Sequence, residues 1–247
     1  MSSYRRAGLD SRSLAGVAIF GALAVVLTTI SQALGLNFPV VPYLQFDFGE
    51  IAIILAFFIL GPVPALIAGF IELATLMAIG QNVAFYGPEL KLIAIVSSLL
   101  GIWLGAVAVR RTRHPTVKKA AGLGAVLGMT IRAIALTLPN YLLIVYLYTL
   151  SGILGYVSGS FKLIGVTLTD SNALVLILAM TAVFNALQFG FVSIVSYGIV
   201  SLPQIRSLRV AGRKLWIATY LEKRESPVTL PPQEARAEVG RSGRGTP

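Results

Sequence analysis

No cysteine occurs in the 247 residues, which excludes disulfides, thiolate catalysis and thiolate metal sites and leaves the redox compartment undetermined. Histidine is nearly missing too. The single one, His114, lies in a basic stretch beside Pro115, and a lone imidazole without cysteines or neighbouring carboxylates builds no ordinary zinc site. Charge is scarce: Asp, Glu, Lys and Arg make up 12% of the chain against 56% hydrophobic residues, and the mean hydropathy is +0.81. That leaves too little polar surface for a soluble domain of this length, so the composition predicts a polytopic all-α membrane protein. Catalytic patterns are also lacking. There is no Walker A phosphate loop, no Ser/His/Asp set, no paired-histidine motif and no carboxylate cluster on one helix, so no catalytic residue, metal or cofactor is expected.

What charge there is falls in blocks, and the blocks give a topology. Arg5, Arg6 and Arg12 precede the first apolar run; Arg110, Arg111, Arg113, Lys118 and Lys119 form a central cluster; every other base follows the last run, save Lys91, Arg132 and Lys162. This distribution is the positive-inside signature of cytoplasmic segments, so the net charge of +10 reports orientation in a lipid bilayer rather than a nucleic-acid partner. Six apolar segments satisfy it: Leu14–Leu36, Glu50–Leu60, Val63–Ile79, Leu90–Val109, Ala120–Leu150 and Ala173–Val200. The second and third are short for a span, and Gly61-Pro62-Val63-Pro64 forces a tight turn between them. A six-transmembrane-helix bundle in the cell membrane, with both termini cytoplasmic, follows from these boundaries. Residues 1–13 read as a cytoplasmic segment, 14–201 as the membrane domain and 202–247 as a basic tail, disordered from Glu225 onward. The first run spans rather than acting as a cleaved signal, since no small-residue cleavage site closes it. Outside lie Asp47, Glu89 and Asp170, with Glu50 at the rim and Lys91 and Lys162 as the outer bases.

Several polar residues sit where hydrocarbon is expected. Glu72 and Arg132 lie at similar depth, so a buried Glu72–Arg132 pair is expected ahead of a ligand role. Pro139 breaks the fifth segment beside Asn140 and Tyr141, and the sixth carries Asn185 and Gln188 on one helical face. These amides either line a pocket open to the outside or serve as interhelical hydrogen-bond glue, and the chemistry alone does not separate the two. In the first segment, Ala18 and Ala22 are spaced so that another helix can approach closely, whether from this chain or from a partner.

Taken in order, YLQFDFGEIAIILAFFILGPVPALIAGFIEL, GPELKLIAI, LPNYLLIVYLY and VFNALQ resemble stretches of the substrate-binding S component of energy-coupling factor (ECF) vitamin transporters, in its riboflavin branch. The resemblance covers roughly Ala15 to Val200. It implies a six-helix bundle that captures a vitamin from outside and then tilts within a complex of a membrane T component and two ATPase subunits. By resemblance, Ala18 and Ala22 meet the T component, Asn140 and Asn185 hold the flavin ring system, and Tyr43, Phe46 and Asp47 lie near the pocket mouth. The departure is Gln188, where the branch commonly has lysine. Tyr141 and Gln188 complete the expected substrate-binding set. Uncharged amides and an aromatic slot suit riboflavin. The rival expectations are an S component for another vitamin or heterocycle, a membrane enzyme acting on lipids around Glu72, Arg132 and Asp47, and a gradient-driven carrier.

Overall fold

A computed structural model describes residues 11–80, 87–147, 150–169, 171–203, 205 and 215–222. The expected disordered tail, the first ten residues and Asp170 lie outside them. The described chain is helical: α1 (Ser11–Ala33), α2 (Gly49–Leu60), α3 (Pro62–Ala78), α4 (Gly87–Arg110), α5 (Val117–Leu142), a π-helical turn (Leu143–Leu147), α6 (Leu150–Leu163), α7 (Ala173–Ser201) and α8 (Trp216–Glu222). Four of these are long and apolar enough to cross a membrane, and the shorter apolar α2 and α3 accompany them. The described residues are all-helical, as in a multi-pass membrane protein.

The short α2 sits at the centre. It packs against α1, α3, α7 and α8, and eight of its residues from Glu50 to Phe58, Ile51 apart, are buried, so it needs no lipid-facing side. The turn after it works through Gly61. Its φ of 108° is open only to glycine at low cost, its N–H closes α2 onto Ala56 and Phe57, and Pro62 then opens α3 where no N–H is needed. Trp216 lies directly over Gly61, meets Phe57 edge-on and stacks on Tyr220, whose ring also carries the Arg110 guanidinium at 4.6 Å. Gly16 of α1 lies against Leu60, so the start of α1, the α2–α3 turn, the end of α4 and α8 gather at one end of the bundle, with the basic stretch Arg110–Lys119.

On α1, Val17, Gly21, Ala24, Thr28 and Ser31 are buried, the four-and-three spacing of one helical face, while Ala18 and Ala22 are exposed on another. The closest helix contact joins α4 to α5. A Cβ on Gly101 would strike the backbone of Gly128, and one on Gly105 the backbone of Gly124, so the two backbones touch where side chains would hold them apart.

The sixth expected segment appears as α7, but the fifth does not run unbroken to Leu150. The break expected at Pro139 is not found: α5 runs through it to Leu142, and a π turn follows before α6. With the loop of residues 34–48 and the start of α7, α6 builds a second apolar cluster around Val41, Ile144, Val157, Phe161 and Ile177, apart from the main core.

Gly101→Ala is expected to overpack the α4–α5 crossing and destabilise the fold by about 2 kcal/mol, lowering Tm in detergent by roughly 4 °C or more. Gly122→Ala, whose new methyl meets nothing within 4 Å, is expected to leave Tm within about 2 °C. Equal shifts in the two variants would contradict the close crossing.

Candidate functional site

A cavity of about 610 Å³ lies beneath the second apolar cluster, at the end of the bundle away from the basic stretch Arg110–Lys119. Its roof is the loop of residues 34–48 with Gly152 and Ile153 of α6; its walls come from α1, α4, α5, the π turn and α7, with Glu50 of α2 and Leu76 of α3. The roof loop is drawn tight by main-chain bonds from Phe38 N–H to the Leu44 carbonyl at 2.7 Å and from Phe46 N–H to the Leu36 carbonyl at 2.8 Å. Phe46 and Phe38 both rest on Phe184 of α7, with ring centroids 5.1 Å and 5.5 Å away, which gives the cavity an aromatic side.

Two groups of charged side chains meet this cavity. Beneath it, Lys91 Nζ lies 2.5 Å from Asp47 Oδ2 and 2.5 Å from Glu72 Oε1, and donates to Thr28 Oγ1 at 2.6 Å. Thr28 stands 2.8 Å from Asp47 Oδ1 and 2.7 Å from Glu72 Oε1, with a single proton to share between them. Gly49 N–H also donates to Asp47 Oδ1, at 2.7 Å. Position 49 takes glycine because a Cβ there would run into Thr28 and Glu72. The second group is centred on Arg132, whose guanidinium grips both oxygens of Glu50 through Nη1 and Nη2, reaches Ser98 Oγ at 3.4 Å and donates from Nε to Asn185 Oδ1 at 3.1 Å.

The expected Glu72–Arg132 pair is therefore replaced by two others. α3, which carries Glu72, packs on α1, α2 and α4, whereas α5, which carries Arg132, packs on α4 and α7. Equal depth does not make two residues neighbours when other helices stand between them, and each charge has an opposite one closer by. Two further expectations change with this. Lys91 is not a solvated outer base, since its side chain is 12% exposed and held by two carboxylates, and Glu50 lies buried beside Arg132 rather than at a wet rim.

Of the expected substrate-binding residues, Tyr43, Phe46, Asp47, Asn140 and Asn185 line the cavity. Asn140 donates to the Leu136 carbonyl at 2.8 Å, which leaves its amide oxygen and second N–H for another partner. Burial pushes the Tyr43 phenol above its ordinary pKa. The Thr181 hydroxyl donates to the Ile177 carbonyl, and Tyr43 OH makes no hydrogen bond. The other two residues are elsewhere. Gln188 is buried behind the wall, where its Nε2 donates to the Asp47 carbonyl at 2.6 Å and its Oε1 accepts from Asp47 N–H at 3.4 Å. Tyr141 is turned outward, in a shallow apolar hollow with Ile134, Leu138 and Leu178.

A family model described as the ECF transporter, substrate-specific component, matches residues 12–200. The chain belongs to this family. Among curated proteins and solved structures, none matches. As an ECF substrate-specific component, the protein is a transporter subunit that captures a substrate and works with ECF T and ATPase modules. The cavity is a place in this S component where a small molecule fits, because it is roofed yet partly open, has an aromatic side and offers polar groups. Sequence reasoning missed Thr28, Phe184 and the α6 residues Gly152 and Ile153 on its wall. The placement of Phe184 immediately before Asn185 was the one available signal.

Breaking one side of the Glu50–Arg132 pair strands a buried charge. Arg132→Met is expected to cost about 3–5 kcal/mol of stability, and Glu50→Leu with Arg132→Met together to recover part of it. A double-mutant cycle in chemical or thermal unfolding is expected to give a coupling of about 2 kcal/mol or more for Glu50–Arg132 and below about 0.5 for Glu72–Arg132. The reverse order would refute the pairing.

Proposed function

We propose that the chain is the substrate-capture subunit of an ECF-type vitamin importer in the cell membrane. It binds riboflavin from outside and delivers it inward with a T component and two ATPase subunits. The observation that carries this reading is the roofed cavity of about 610 Å³ at the end opposite the basic stretch Arg110–Lys119. If the basic end faces the cytoplasm, as the distribution of Lys and Arg favours, the cavity faces the side from which a vitamin arrives. The topology that goes with this has six crossings and both termini cytoplasmic, with α2 and α3 as the short crossings that the rest of the bundle encloses.

Within the cavity, the ring system of the flavin is assigned to the Phe46–Phe184 side, and its polar edge to Asn140 and Asn185. Tyr43 offers a buried hydroxyl without a partner, which a ligand hydroxyl relieves. Asp47 anchors the roof loop, so the stretch Val40–Gly49 is the segment that opens for entry and closes over the ligand. Ala18 and Ala22 lie exposed on α1, where small side chains let a T-component helix approach. One observation favours a second ligand within the same architecture. The walls carry two charge clusters that uncharged amides alone did not foretell, and these suit a different vitamin or heterocycle richer in polar groups.

Riboflavin added to detergent-purified protein is expected to be quenched saturably at one ligand per chain. Asn140→Ala is expected to weaken that binding by about tenfold, the loss of one buried hydrogen bond, without changing the elution profile. A folded protein that leaves flavin fluorescence untouched would overturn riboflavin as the ligand. Ala18→Trp is expected to keep ligand binding and lose co-purification with the T component, and an intact complex would count against the α1 interface.

A further inference from the structure

We infer that the cavity takes an uncharged or positively charged heterocycle and rejects the phosphorylated or carboxylated forms of the same compound. This rests on the substrate-capture reading above and adds to it the charge class of the ligand.

An anionic ligand needs a cation with donors to spare, and the two cations at the cavity have almost none. The ammonium of Lys91 has three protons and three acceptors already in place: Asp47 Oδ2, Glu72 Oε1 and Thr28 Oγ1. All three nitrogens of the Arg132 guanidinium are engaged, by Glu50, Ser98 and Asn185, and a single Nη2 proton is left over. Both cations line the cavity, but with their donors already committed to carboxylates, hydroxyls and an amide they are structural counter-charges rather than open anion receptors.

The carboxylates outnumber the cations. On the wall Asp47 and Glu50 balance Lys91 and Arg132, and Glu72, buried behind it, gives the ionised cluster one negative charge in excess. Asp47 and Glu50 line the cavity themselves. Glu72 is fully buried behind it, with Oε1 shared by Thr28 and Lys91 and Oε2 without any partner. If Glu72 holds a proton the excess vanishes, yet among the described residues the wall still offers no unmatched cation. A phosphate or carboxylate entering here loses its water, meets carboxylate oxygens and finds uncharged donors, such as the Asn140 amide and the Tyr43 hydroxyl, beside one spare Arg132 proton. Like charges brought together out of water weaken binding by well over tenfold. A ligand with amide, hydroxyl or ammonium groups meets acceptors instead.

The test is calorimetric titration of the purified full-length protein with three matched pairs: riboflavin and flavin mononucleotide, thiamine and thiamine monophosphate, pyridoxal and pyridoxal 5′-phosphate. In whichever pair binds, the phosphorylated member is expected to be weaker by at least about tenfold. Equal or tighter binding of the phosphorylated member overturns the inference while leaving substrate capture intact. Binding confined to the thiamine or pyridoxal pair overturns riboflavin as the ligand, and the ratio within that pair still decides the inference. No binding by a folded sample to any of the six overturns riboflavin as the ligand and this inference with it, while the family's capture role stands. Glu72→Gln and Asp47→Asn each remove the excess negative charge by a separate route. In whichever variant folds, the ratio is expected to narrow by about fivefold, and an unchanged ratio would overturn the assignment of the selectivity to this cluster.

Discussion

The constraint on which the rest depends is the cost of keeping five ionisable side chains inside an apolar bundle. Asp47, Glu50, Glu72, Lys91 and Arg132 come from the roof loop, α2, α3, α4 and α5, so matching them draws five parts of the chain to one end of the molecule. An isolated charge there costs several kcal/mol, and pairing recovers that cost only with good geometry and with the remaining donors satisfied. Both conditions are met for the cations, through Thr28 on one side and Ser98 with Asn185 on the other. The arrangement is better understood as fixing which helices meet than as adding net stability, since apolar residues of the same shape would pack there without any desolvation cost.

That charge network needs a rigid frame, and the frame comes from the opposite kind of contact. At the α4–α5 crossing no side chain intervenes, because Gly101 meets Gly128 and Gly105 meets Gly124. In lipid there is no hydrophobic drive between helices, so close backbone approach and its dispersion contacts hold such a pair together. The crossing in turn sets where Ser98, on α4, and Arg132, on α5, face one another. Local sequence choices thus reach the cavity through packing: small residues on two helices decide the reach of a guanidinium.

Much of the fold was legible because hydropathy and turn chemistry are local properties. The apolar stretches and the Gly61–Pro62 turn correspond to features of the structure, and Tyr43, Phe46, Asp47, Asn140 and Asn185 all line one cavity, whereas the break expected at Pro139 is not found, since α5 runs through it to Leu142 and on into the π turn. What was not legible depends on angle or on long-range contact. Depth along a helix can be counted from sequence, but the direction a side chain takes around the axis is settled by neighbours, which is why Arg132 met Glu50 rather than Glu72 and why Tyr141 turned outward while Asn140, one residue before, turned in. α6 was missed for another reason. Its stretch is rich in Gly and Ser and too short to span, and it is held as a helix by the apolar face it shares with the roof loop.

Gln188 shows how a departure from a family pattern changes meaning once the contacts are known. Read from sequence, glutamine in place of lysine removes a cation from the ligand site. In the structure position 188 is not on the cavity wall, and its amide instead brackets the backbone of Asp47 with one donor and one acceptor. A lysine there has only donors, so it could not accept from Asp47 N–H. The cation that Asp47 does need reaches its carboxylate from α4, as Lys91. Side chain and main chain of the same residue are therefore held by two different helices, α4 and α7, while Thr28 of α1 takes the remaining carboxylate oxygen. A residue held from three directions cannot move without releasing all three, and for this reason the roof loop above it is coupled to the bundle through Asp47 rather than through its apolar contacts alone.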